Sequence, residues 1–288
     1  MRTVSRTAFI EQLGERWDKQ DTMLCVGLDP DPARLPLALA RQSDGVQQFC
    51  RGIVDATAEY VCAFKPQVAC FAALGTEDEL ARLIEYIHEN HPAIPVILDA
   101  KRGDIGSTAR LYATEAFERF AADAVTVNPY LGEESVRPYL EYQDRGVIVL
   151  CRTSNSDSDW LQMHPQAEPV YLRVAEAAVH WNTRGNVMLV AGATFPEELR
   201  AIRAVVGDMP LLVPGVGAQG GDLRAVITFG CNSRGVGLVI NASRSVLYAG
   251  AGPGYATEYA RKAADAARDM RDEIRRLQAE LAPDRAVI

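Results

Sequence analysis

The stretch Pro95-Val-Ile-Leu-Asp99-Ala-Lys101-Arg-Gly-Asp104-Ile-Gly-Ser-Thr108 changes character in mid-course. Its first four residues, Pro95–Leu98, form an apolar run that reads as a short strand. Charges begin abruptly at Asp99, and a helical pattern follows over Ala109–Phe120. The stretch is therefore one strand–turn–helix unit, and the chain repeats that unit. Nearly continuous apolar runs also occur at Met23–Leu28, Tyr60–Phe64, Ala124–Val127, Val147–Leu150, Val187–Val190, Leu211–Val213 and Val236–Ile240. Runs without hydrophobic–polar alternation mark the strands of a parallel sheet covered on both faces. Helical patterns fill the intervals at Val46–Glu59, Thr76–Glu89, Glu133–Glu141, Ala167–Trp181, Pro196–Val205 and Asp222–Thr228. After the last run, Ala264, Ala267, Met270, Ile274, Leu277 and Leu281 recur at helical spacing within Tyr255–Leu281.

Eight strands, each followed by a helix, is the count of an α/β (β/α)8 barrel, or TIM barrel. A doubly wound sheet is the alternative, but eight units exceed its usual needs. An extra N-terminal helix, about Thr7–Trp17, is expected across the barrel bottom. No Pro-, Gly- or Ser-rich linker divides the 288 residues, so one domain spanning 1–288 is expected. The connection from Arg152 to Pro165 shows little helical or strand pattern. Long loops of that kind are often lids, and Trp160 within it is placed either over a site or against the rim.

Composition narrows the function. Apolar residues make up 48%, enough for a large core. Thirty basic against 38 acidic residues give −8, which argues against a nucleic-acid surface. No run of about 20 apolar residues is present to span a membrane. The first residues carry acids and no apolar segment of the signal-peptide kind, so a cytoplasmic protein is expected. The six cysteines, at 25, 50, 62, 70, 151 and 231, form no CxxC and read as buried, reduced thiols. The four histidines form no HExxH, and no metal site is expected.

In such barrels chemistry sits at the C-terminal ends of the strands. Those ends carry Asp29, Lys65, Asp99 with Lys101 and Asp104, Asn128, the run Arg152-Thr153-Ser154-Asn155, and Asn241-Ala-Ser243-Arg244. On an extended strand Asp99 and Lys101, two apart, point to the same side. With Lys65 and Asp104 near, an alternating network of two lysines and two aspartates is expected. Buried charges are costly even when paired, so four of them at a functional rim favour a site over a structural cluster. The run after strand seven matches GxGxxG at Gly215, Gly217 and Gly220. It comes seventh of eight, and no acid follows at the end of the next strand, so dinucleotide binding is rejected. The glycines instead let backbone amides approach an anion, and loops seven and eight are the usual phosphate site of this fold. Arg244 offers a bidentate contact to phosphate.

Together these residues resemble the orotidine 5′-phosphate decarboxylase family. The segment 99–108, DAKRGDIGST, is similar to its DxKxxD signature, and 214–222, PGVGAQGGD, to its phosphate loop; the resemblance runs from Asp29 to Arg244. It implies decarboxylation of orotidine 5′-monophosphate (OMP) to UMP and CO2, the last step of UMP synthesis, without a cofactor. By that resemblance Asp29 and Lys65 hold the ribose hydroxyls. Asp99 faces the scissile carboxylate, and Lys101 stabilises and protonates the C6 carbanion. Asp104 completes the network and, with Ile105 and Thr108, enters the neighbouring subunit's site in a homodimer. Ser154, with Thr153 as its rival, reads the pyrimidine amide edge; Gln219 touches phosphate and base, and Arg244 grips phosphate. Relatives often carry Pro-Gly where this chain has Ser156-Asp157. Two other functions compete: a metal-dependent hexulose-phosphate synthase, which would use carboxylates at strands one and three and a histidine, and a silent phosphate-ligand sensor on the same scaffold.

Overall fold

The computed structural model describes residues 7–216, 221–251 and 255–285. Eight parallel strands run β1 Leu24–Leu28, β2 Ala63–Pro66, β3 Ile97–Arg102, β4 Ala124–Val127, β5 Gly146–Arg152, β6 Val187–Ala191, β7 Leu211–Pro214 and β8 Leu238–Ala242. The hydrogen-bonded order is β2-β1-β8-β7-β6-β5-β4-β3, each strand beside its neighbour in sequence and β8 beside β1. Between β2 and β3 the ring is joined by bridges Phe64↔Val96 and Gln67↔Asp99. This is the expected (β/α)8 barrel and excludes a doubly wound sheet, in which the strand order reverses.

The helices that matter below are α1 Phe9–Lys19, α2 Gly45–Thr57, α3 Glu77–Asn90, α4 Gly106–Thr114, α5 Arg137–Leu140, α6 Val170–Trp181, α7 Pro196–Val206, α8 Leu223–Gly230 and α9 Tyr255–Arg285. β1, β2, β4, β6 and β8 are buried along their whole length. That explains the unbroken apolar runs, because helices cover the outside of the barrel while side chains fill its inside.

Helix α1 does lie under the barrel. Phe9 packs where a side chain on Gly146, at the start of β5, would sit. Trp17 Nε1 donates to the Leu238 carbonyl at 3.0 Å, at the start of β8. Arg16, buried, donates to the carbonyls of Val61 and Ala58.

Several boundaries differ from expectation. β2 begins at Ala63 and runs through Lys65 to Pro66, because a 3-10 turn, Ala58–Tyr60, occupies the start of the expected strand. β8 likewise extends past Asn241 to Ala242. Pro138 splits the helix expected at Glu133–Glu141 into a 3-10 turn and α5. The connection 152–165 is not free of structure: it forms a 3-10 turn at Ser156–Ser158 and a helical turn at Asp159–Gln162. None of the six cysteines forms a disulfide, five of them are buried, and burial pushes the thiols of Cys25, Cys50, Cys62 and Cys151 upward. Among the described residues no helix is long and apolar enough to cross a membrane.

Candidate active site

A cavity of about 580 Å³ opens at the C-terminal ends of the strands. That volume is within the usual range for small-molecule sites. Asp29 from β1, Lys65 from β2, Asp99 and Lys101 from β3, Ser154 after β5, Gly215 after β7 and Arg244 after β8 all line it. Residues separated by as much as 215 positions thus meet, as the barrel count requires.

Its charged centre is a carboxylate between two ammonium groups. Lys65 Nζ lies 2.6 Å from Asp99 Oδ2, and Lys101 Nζ lies 2.6 Å from Asp99 Oδ1. Lys65 and Asp99 are buried, at 4% and 6% exposure. Burial alone would raise the Asp99 carboxyl, but the two lysines and their hydrogen bonds outweigh it and hold the group well below the ordinary carboxylate range. Burial likewise works to lower Lys65; the fields of Asp99 and Asp29 prevail and raise it above the ordinary lysine value. Both groups therefore stay charged. Lys101, about half exposed, spends one N–H on Asp99 and leaves two facing outward.

The local backbone is not the extended strand that the two-residue spacing assumed. Four residues of β3, from Leu98 to Arg102, advance against two of β4, from Val125 to Val127. Within that bulge Lys101 has φ +47°, in the left-handed region. Bulges re-aim side chains, and it is this bulge, not regular alternation, that brings the Lys101 ammonium back onto Asp99. Arg102 anchors the far end: its guanidinium pairs with Glu115 Oε2 at 2.9 Å and covers the Tyr112 ring. Thr126, on β4, contacts the bulge from the side; its hydroxyl donates to Asp99 Oδ1 at 3.0 Å. Sequence reasoning passed over Thr126, whose only signal is a hydroxyl inside an otherwise apolar strand.

Asp104 does not join the network within this chain. Its Oδ1 accepts from the Ile105 N–H at 2.8 Å, and the residue does not line the cavity. The expected two-lysine, two-aspartate alternation is thus, within one chain, a Lys65–Asp99–Lys101 triad with Asp29 acting on Lys65. Ile105 and Thr108 are exposed on the same rim. They sit where α4 begins and do not line their own chain's cavity.

After β5, the Thr153 hydroxyl has given its proton and taken one bond. It donates to Asn155 Oδ1 at 2.7 Å and accepts from Gln162 Nε2 at 2.9 Å. The Ser154 hydroxyl has no partner among the described residues, although it lines the same cavity. Gly192 makes this approach possible, since a Cβ there would meet Ser154 Cα at 2.8 Å. The loop itself is tied down by buried Arg152, which bonds Ser158 and Asp159 and lies over the Phe195 ring. Trp160 stands at the cavity edge, 75% exposed, and is not packed on the rim.

Across the cavity, Gly215 has φ +98°, and Gly221 N donates to its carbonyl at 3.1 Å, closing the base of the loop between them. Gly217, Gln219 and Gly220 lie outside the described residues. Asp222 caps α8 by accepting from the Arg224 N–H at 2.9 Å. Arg244 is exposed and its guanidinium has no partner among the described residues. Two further oxygens lining the cavity, Asp29 Oδ1 and Ser243 Oγ, are buried without partners among the described residues. Asn241, also lining the cavity, accepts from Cys25 Sγ at 3.6 Å. Among the described residues no three His, Cys, Asp or Glu side chains converge to hold a metal ion. Asp99, one of the two carboxylates that the metal-dependent alternative would need, already has both oxygens on ammonium groups.

Charged groups held ionised at the C-terminal mouth of a closed parallel barrel, beside polar groups left without partners, define a (β/α)8-barrel enzyme. Residues 22–260 match the model of the family described as orotidine 5′-phosphate decarboxylase / HUMPS. A relative from Ralstonia pickettii named orotidine 5′-phosphate decarboxylase is 56% identical over 269 residues, covering 93% of this chain and 99% of the relative. One of the same name from Cupriavidus necator is 60% identical over 245 residues, covering 84% and 89%. The solved OMP decarboxylase of Leishmania donovani superposes with a TM-score of 0.80 at 36% identity, covering 94% of this chain and 99% of that one. This chain belongs to the orotidine 5′-phosphate decarboxylase family.

Proposed function

We propose that the chain decarboxylates OMP to UMP and CO2, with Lys101 as the proton donor and Asp99, Lys65 and Asp104 as the rest of its charged machinery. The observation that carries this reading is the Asp99 carboxylate held ionised between two ammonium groups, one of which still has N–H groups facing the cavity.

The substrate spans the mouth. Its phosphate goes to Arg244, Gln219 and the amides around Gly215. The unpaired Arg244 guanidinium and the partnerless Ser243 Oγ support that end. The ribose hydroxyls go to Asp29 and Lys65; the partnerless Asp29 Oδ1 is an acceptor ready for one of them. The pyrimidine edge goes to Ser154, whose hydroxyl has no partner among the described residues, where that of Thr153 has already committed its proton.

Loss of CO2 breaks the C6–carboxylate bond and leaves its electron pair in an in-plane orbital at C6, with no ordinary delocalisation. Stabilisation has to be electrostatic, from a fixed charge already aimed at C6. The Lys101 ammonium supplies it, then gives its proton to C6 and regains one from water. Asp99 beside the substrate carboxylate adds repulsion. Two unit charges about 4 Å apart at an effective dielectric near 20 repel by roughly 4 kcal/mol. Enzymic accelerations need about 8–23 kcal/mol, so repulsion is a minor share. Remote phosphate contacts hold the ring in place and drive closure.

The site is completed by a second copy of the chain. Ile105 and Thr108 are exposed and Asp104 is half-buried, and the large apolar side chains of Ile105, Leu111, Tyr130 and Leu131 are exposed, between 49% and 76%. Exposed apolar side chains of that kind are suited to burial against a partner.

A spectrophotometric assay with OMP, with and without a chelator, tests the reading. Turnover that survives chelation is expected. No OMP turnover and no OMP binding leaves the metal-dependent synthase, and binding without turnover favours the sensor.

A further inference from the structure

We propose that Thr126 is a positioning residue for proton delivery by Lys101. The inference rests on the decarboxylase reading and adds a group to it. Thr126 lies within β4 and is 1% exposed. Its hydroxyl accepts from the N–H groups of Ala100, at 3.0 Å, and Lys101, at 2.9 Å, and donates to Asp99 Oδ1, at 3.0 Å. A hydroxyl has one proton and two lone pairs. Both amides are donors, so the proton has one destination, the carboxylate. All three capacities are used, and the direction of every bond is fixed.

The three partners are consecutive residues of β3, at the place where it leaves register with β4. There the Thr126 side chain supplies the acceptor that a main-chain carbonyl supplies in a regular ladder. It supports Lys101 in a left-handed backbone conformation that L-residues rarely adopt. The same oxygen holds Lys101 at both ends. It takes the backbone N–H directly, and it takes the ammonium through Asp99 Oδ1, which Lys101 Nζ approaches to 2.6 Å. Where the reactive nitrogen sits relative to its own main chain is therefore set by one side chain on the neighbouring strand. Displacement of a reacting group by about 1 Å can cost on the order of 10²-fold in rate.

Valine matches the shape of threonine and offers no hydrogen bond; serine keeps the hydroxyl. The groups proposed to bind phosphate stand at the ends of β7 and β8, away from this change; of the ribose groups, Lys65 touches Asp99 Oδ2, the oxygen that Thr126 does not bond. The consequence is a loss in kcat with KM preserved.

The experiment compares full-length wild type, T126V and T126S in steady-state OMP turnover, with UMP affinity measured by calorimetry. T126V is expected to lose about tenfold or more in kcat, with KM and UMP affinity within about threefold of wild type. T126S is expected to retain kcat within about threefold of wild type. Should T126V fail to fold, T126A takes its place with the same expectations. Wild-type kcat in the variant lacking the hydroxyl, a loss confined to KM, or serine no better than valine would each overturn the assignment. Absence of OMP turnover in the wild type strikes the decarboxylase reading instead.

Discussion

The two ends of the barrel treat polar groups in opposite ways. At the bottom, most of the buried polar side chains are spent on the main chain. Arg16 donates to Val61 and Ala58, Trp17 donates to Leu238, and Asp123 accepts the Val96 N–H at 2.8 Å. At the top, Asp29 Oδ1 and Ser243 Oγ are buried without partners. There the Ser154 hydroxyl and the Arg244 guanidinium also have none among the described residues, and the Lys101 ammonium is only partly engaged. Leaving a buried polar group unsatisfied costs roughly 1–3 kcal/mol. Among the described residues the bottom bears that cost at Asn186 Oδ1, just before β6; the top bears it at the cavity, where it gives readiness for a ligand. Substitutions at the two ends should therefore separate turnover from stability.

The largest effect is expected at Lys101. Lys101→Ala removes both the charge that stabilises the carbanion and the proton donor. Electrostatic groups contribute about 10²–10³ and proton donors about 10²–10⁴, so kcat should fall by at least about 10⁴-fold while UMP still binds in calorimetry. Arg244→Ala comes next. A hydrogen bond to a charged group is worth about 1.5–3 kcal/mol, so KM for OMP should rise about 10- to 100-fold, and unchanged kinetics would remove phosphate from that corner.

A third contrast is in pH. The Asp99 carboxyl is held below its unfolded value, so its share of stability is complete above about pH 3.9 and is lost as pH falls below that. Lys65 is held above its unfolded value; its share is complete below about pH 10.4 and is lost as pH rises further. Thermal unfolding followed from pH 5 to 2.5 should show a shallower acid decline in Asp99→Asn than in wild type. Equal slopes would mean that the triad does not contribute. The smallest effect belongs to the bottom. Trp17→Phe keeps most of the buried ring and removes one hydrogen bond, so it should cost about 1 kcal/mol of stability and leave kcat unchanged. A large loss of kcat there would break the division between the ends.

The division also explains what could be read in advance. A buried parallel strand announces itself as an apolar run, so eight strands and their helices were legible, and with them the strand ends where Asp29, Lys65, Asp99, Lys101, Ser154 and Arg244 sit. Strand ends were less legible where the functional residue is itself part of the strand, as at Lys65 and Asn241, because polarity there reads as termination. The bulge at Lys101 left no mark, since a left-handed residue is recognisable in sequence only when it is glycine or asparagine. Thr126 was hidden for a related reason: its role depends on which backbone amides a neighbouring strand leaves free. Asp104 is expected both to complete the charge network and to enter the neighbouring subunit's site; within its own chain its Oδ1 accepts from the Ile105 amide.

The most direct test is a crystal structure with a UMP analogue substituted at C6. The account predicts the phosphate on Arg244 and the Lys101 nitrogen within about 3.5 Å of the pyrimidine C6 position, with Asp99 still between the two lysines. A bound nucleotide whose C6 lies away from Lys101, with that nitrogen turned out of the cavity, would contradict it.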